Sequence, residues 1–86
     1  MPVLSKFYGI VIRMLFIRPF AAHFHAIYGD SEVLVGIQPV RIINGDAPEK
    51  VREMVMQWAR EHQQELLLAW KRCGMAQAPL AIAPLR

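Results

Sequence analysis

A single cysteine in 86 residues leaves no internal disulfide to be made. Cys73 stands beside Gly74 at the end of a helical pattern and reads as a small, partly buried side chain rather than a reactive thiol. Such cysteine usage fits a reducing cytoplasm, and that is the expected compartment. No apolar run approaches the roughly 18 residues of a membrane span; the stretch from Phe7 to Ile17 is interrupted by Arg13. Lys6 and that stretch imitate the first parts of a secretion signal, but Ala21-Ala22 is a poor cleavage site because a strand pattern runs straight through it. Basic residues outnumber acidic ones by 10 to 7, yet no basic run is longer than Lys71-Arg72. The charge is therefore compatible with a nucleic-acid partner without demanding one. There is no phosphate-binding glycine loop, nucleophile elbow or Cys-x-x-Cys pair.

What is present is apolar and patterned. Hydrophobic residues make up 55% and charged residues 20% of the chain, the balance of a folded globular protein rather than a disordered one. The length suits one small domain over residues 1–86, whose modest core would gain from contact with a partner or a second copy. Residues 4–17 are rich in β-branched and aromatic side chains on both parities and read as one long central strand ended by Arg18-Pro19. Residues 23–28 and 32–37 read as a hairpin turned by Gly29-Asp30, with glycine first as a type II′ turn requires. That register opposes Phe24 to Val35 and Ala26 to Val33 on an apolar face. It opposes His23 to Gly36, His25 to Leu34 and Ile27 to Glu32 on a mixed one. A short strand over 40–43 follows.

Asn44 to Glu49 carries a helix-start signal, with Asp46 as cap and Glu49 reaching back three residues later. Val51, Met54, Val55, Trp58, His62, Leu66, Ala69, Trp70 and Cys73 then recur at helical spacing. The pattern predicts a helical arm over 47–73, kinked or split near 60–63, with Gly74 as terminator. Trp58 and Trp70 read as core anchors and His62 as an edge residue. Residues 75–86 read as an extended tail strapped onto the domain or onto a partner. The expected fold is α+β: an antiparallel sheet of three to four strands, covered on one face by the helical arm.

His23 and His25 leave one strand face roughly 6–7 Å apart. Arg13 falls on that face by parity, and Arg41 would join it from the strand over 40–43. Two imidazoles so placed can share a metal or act as an acid–base pair, but a metal needs three or four ligands and no further one is evident nearby. These four residues are therefore read as a contact surface for a ligand or partner. No catalytic role, metal or cofactor is assigned, and the chain reads more readily as a non-enzyme.

Ser5-Lys6-Phe7-Tyr8-Gly9-Ile10-Val11-Ile12-Arg13-Met14, His23-Phe24-His25 with Tyr28-Gly29, Gly45, Pro48, Trp58-Ala59-x-x-His62-x-x-Glu65-Leu66-Leu67-x-x-Trp70, and Ile82-x-Pro84-Leu85 stand in this order along the chain. Together they resemble the domain-of-unknown-function family 4160 of bacteria. The resemblance implies a small cytosolic protein, often encoded beside a second small uncharacterised protein and discussed as one half of a toxin–antitoxin-like or regulatory pair. The family pattern Asp-His-x-Pro-Pro-His-x-His appears here as Arg18-Pro19-Phe20-Ala21-Ala22-His23-Phe24-His25, which keeps only the last two histidines. That loss counts against an enzymatic role. Three readings follow: an interaction module paired with a neighbouring gene's product, a nucleic-acid-binding regulator or toxin component, and a metal-assisted or His-dependent hydrolase such as a ribonuclease. Homodimerisation is compatible with each.

Overall fold

The computed structural model describes residues 2–17 and 21–86. Five antiparallel strands form one sheet in chain order: β1 (Val3–Phe7), β2 (Ile10–Arg13), β3 (His23–Tyr28), β4 (Ser31–Ile37) and β5 (Val40–Asp46). Helices α1 (Glu49–Glu61) and α2 (Gln63–Gly74) follow. The fold is α+β as expected, with one strand more than the sequence suggested.

The extra strand comes from the segment read as a single long one. Tyr8 and Gly9 both adopt left-handed φ values, 50° and 80°, and reverse the chain, as a two-residue hairpin turn requires. Phe7 then pairs with Ile10, and Ser5 with Ile12. Because a two-residue turn brings residues 7 and 10 to the same face, Ser5 and Phe7 bury with Ile10 and Ile12, and a register shift between Val3 and Ser5 turns Leu4 inward and leaves Val3 exposed. The apolar residues on both parities thus belong to a hairpin, not to a strand buried on two sides. The Arg18-Pro19 strand break lies outside the described residues.

The β3–β4 register matches expectation at all six pairs, from His23 opposite Gly36 to Tyr28 opposite Ser31. Gly29 has φ 56° while Asp30 does not turn positive, as in a type II′ turn. Phe24, Ala26, Val33 and Val35 are buried on the covered face, with Ile10, Ile12 and Ile37. Trp58 of α1 seats on them, its ring 5.4 Å from Phe7 and 5.7 Å from Phe24.

β5 runs three residues beyond the expected 40–43. Gly45 has φ 86°, and a Cβ there would lie 2.2 Å from the Glu32 carbonyl oxygen. Only glycine lets the strands approach so closely, so Asn44-Gly45 continues the ladder rather than ending it. This displaces the helix start. Asp46 stays paired with Glu32 and accepts a hydrogen bond from the Ala47 N–H. Pro48 takes the cap position without a side-chain bond, so the Asp46–Glu49 capping box does not form.

The split in the helical arm falls at His62, which ends α1 and begins α2. A straight helix over 47–73 would be about 40 Å long, longer than the largest dimension of the molecule, 33 Å. The Gln63 amide donates to the Ile37 carbonyl at the end of β4, anchoring the bend. Past α2 the left-handed position is taken by Ala76, φ 58°, not by Gly74. The Ala76 and Gln77 N–H groups return to the Cys73 and Arg72 carbonyls, a Schellman closure. Gly74 serves packing instead: a Cβ there would sit 2.8 Å from the Phe16 ring. The tail is strapped to its own chain, since the Ile82 N–H donates to the Leu4 carbonyl and the Trp58 indole donates to that of Ala83.

Candidate functional site

Strand alternation places His23 and His25 on the face away from Trp58, with ring centroids 5.5 Å apart in an edge-on arrangement. Their surroundings then differ. His23 is buried; its Nδ1 lies 2.9 Å from the Ala21 carbonyl, and the Trp70 ring packs 5.1 Å away. Trp70 also meets Phe16 at 4.8 Å, so α2 reaches round the sheet end and closes this corner. His23 therefore serves as a packing residue that pins the chain leading into β3.

His25 is held from the side. Its Nδ1 donates to Glu32 Oε2 at 2.7 Å, a tautomer assigned from the carboxylate acceptor. Glu32 is the carboxylate the sequence reading missed. The expected register already put it opposite Ile27, one diagonal step from His25 on the same face. The His25 Nε2 exposes less than 1 Å² and has no hydrogen-bond partner among the described residues. A Glu-oriented imidazole is the arrangement used for general base catalysis. Here, however, a substrate would reach Nε2 only if the surrounding chain moved.

Arg13 lies directly opposite His25 across the β2–β3 ladder and is half-buried. Arg41 does not join them. It pairs with Gly36, in the row of His23, and is exposed. The space that glycine was expected to leave is filled, because the Ile43 Cδ1 and the Pro39 carbonyl lie 3.3 and 3.2 Å from a Cβ built there. Arg13, His25 and Glu32 thus make one cluster, and Arg41 a separate cation across β4.

A second imidazole–carboxylate pair sits at the helix junction. His62 Nδ1 lies 2.6 Å from Glu65 Oε1, with the ring 5.5 Å from Trp58. One turn of helix separates the two residues, so the pair steadies the bend. Burial pushes the Cys73 thiol above its ordinary range, which keeps it protonated at neutral pH. No group of three or more His, Cys, Asp or Glu side chains suited to a metal occurs among the described residues. No helix among them is long and apolar enough to cross a membrane.

With this geometry in hand, a family described as "Domain of unknown function (DUF4160)" matches residues 9–71, from the β1–β2 turn to near the end of α2. The chain belongs to the DUF4160 family. Neither a curated protein nor a solved structure matches it. The matched span of this DUF4160 chain holds the His25–Glu32 pair and the helix bend. It leaves out β1 and the tail, the two segments that the Ile82–Leu4 hydrogen bond ties together.

Proposed function

We propose that this DUF4160 chain is a non-enzymatic interaction module that works in the cytoplasm with a protein encoded beside it, as one half of a regulatory or toxin–antitoxin-like pair. The observation that carries the reading is the composition of the sheet face turned away from α1. Val11, Ile27 and Leu34 are half-buried there and Ile43 is exposed, while Lys6, Arg13 and Arg41 stand around them and the one acid beside Ile27, Glu32, is engaged by His25. An apolar strip whose rim is mainly cationic suits a protein partner that brings apolar side chains ringed mostly by acidic ones. The family resemblance points to the neighbouring gene's product as that partner.

Co-expression of the two proteins is expected to yield one complex on a sizing column. Ile43→Glu and Arg41→Glu, both at exposed positions, should abolish co-elution while leaving the melting temperature unchanged. Clean separation of the two wild-type proteins would overturn the reading.

A second reading rests on the same cations. Lys6, Arg13 and Arg41 share one face, which suits contacts to nucleic-acid phosphates. Binding of that kind weakens steeply with salt. Retarded DNA or RNA migration at low salt, lost in Arg41→Ala, would support it; no retardation at low salt would remove it.

A further inference from the structure

The two edges of the sheet are finished differently. At β1 the tail supplies a hydrogen bond to the Leu4 carbonyl. Among the described residues β5 pairs only with β4, so every second residue along it turns its N–H and C=O outward without a ladder partner there. Beside this edge, a groove of about 550 Å³ opens between β5 and α1. Ile42 and Met56 supply its apolar lining, and Glu49, Arg52, Glu53 and Arg60 its charges; Arg52 is held by the Ala47 carbonyl at 3.0 Å, with Asp46 3.8 Å away.

Those charges are ordered. At 100° per residue, Glu49, Glu53, Met56 and Arg60 lie within about 60° of one another, in one stripe about 16 Å long. With Arg52 taken up by Asp46 and the Ala47 carbonyl, the stripe leaves Glu49 and Glu53 at its start and Arg60 at its end. Glu49 and Glu53 are like charges one turn apart, an arrangement that destabilises a helix unless it is opposed. Among the described residues, the side chains of Glu49, Glu53 and Arg60 have no ion-pair or hydrogen-bond partner.

We infer that this groove is the contact between two copies of the chain, related by a two-fold axis that sets their α1 helices antiparallel. A copy turned end for end brings its Arg60 to the Glu49 and Glu53 of the first, and receives the first Arg60 in return. Each charge then gains an opposite one, and Ile42 and Met56 of both copies close over each other. The same pattern laid parallel would set acid against acid, so the charge order selects the antiparallel pair. A bulge at Ile43, between the Leu34–Asn44 and Val35–Ile42 pairs, divides β5 into two regular stretches of three residues. The contact is therefore led by the helices rather than by a long strand addition. It uses an edge, not the open face assigned to the protein partner, so the two proposals stand or fall separately.

Light scattering on a sizing column, over a range of loading concentrations, reads the assembly directly. The wild type is expected at twice the 9.8 kDa monomer mass, shifting towards the monomer as salt rises. Arg60→Glu should elute as a folded monomer, with an unchanged circular dichroism spectrum. The triple variant Glu49→Arg/Glu53→Arg/Arg60→Glu inverts the stripe and should recover the dimer mass. A wild type that stays monomeric at every concentration overturns the inference. So does a dimer that survives Arg60→Glu, or a triple variant that stays monomeric.

Discussion

Along β3 successive side chains enter opposite environments. Phe24 and Ala26 meet the helices and lose essentially all contact with water, whereas His25 and Ile27 face outward and remain half-buried. The backbone is shared, and so are the neighbouring strands. What differs is Trp58, which packs against Phe7 and Phe24 and has no counterpart on the outer face at His25 and Ile27 among the described residues. One face is spent on stability, which leaves the chemistry of the other free to serve binding.

The sharpest way to break this contrast is to remove Phe24. Phe24→Ala should cost about 3–5 kcal/mol in denaturant unfolding, a large part of the roughly 4–13 kcal/mol available to a chain of this size. Ile27→Ala, its neighbour on the outer face, should cost about 1 kcal/mol; equal losses would mean that both faces are covered. Trp58→Phe keeps an aromatic ring in the core but removes the indole's five-membered ring with its donor to Ala83, for a loss of about 1–3 kcal/mol. It should also speed proteolysis within residues 75–86, which a purely packing role would not. Glu32→Ala strips His25 of its partner at a partly exposed site, and a loss of about 1 kcal/mol or less is expected. The smallest effect belongs to Arg41→Ala, within about 0.5 kcal/mol, even if partner binding is lost.

The residues explain which of these features the sequence made legible. The β3–β4 hairpin was readable because Gly29-Asp30 marks its turn and the two strands segregate apolar from mixed positions on either side. The bend at His62 was readable from length alone. The β1–β2 turn was hidden because Tyr8-Gly9 lies inside an unbroken apolar run, and a tyrosine at a left-handed position carries no turn signature. The helix start was misplaced because Asn44-Gly45 usually signals a loop, whereas here Gly45 permits a close strand approach. At the candidate site, spacing alone paired the two histidines. Burial separated them, since Trp70 reaches His23 by a path through α2 that local pattern does not encode. Glu32 was within reach of the same register argument and was overlooked because it is not opposite His25 but diagonal to it.

The Trp58–Ala83 hydrogen bond also has a consequence for synthesis on the ribosome. Trp58 lies at the centre of the core, yet the carbonyl that satisfies its indole belongs to a residue made 25 positions later. While residues 82 and 83 are still inside the exit tunnel, β1 lacks the tail's bond at Leu4 and Trp58 has a donor without an acceptor. The sheet and α1 can gather before then, but the finished core waits for the tail. Completion of this core thereby depends on residues 82 and 83 leaving the tunnel rather than on the appearance of the strands.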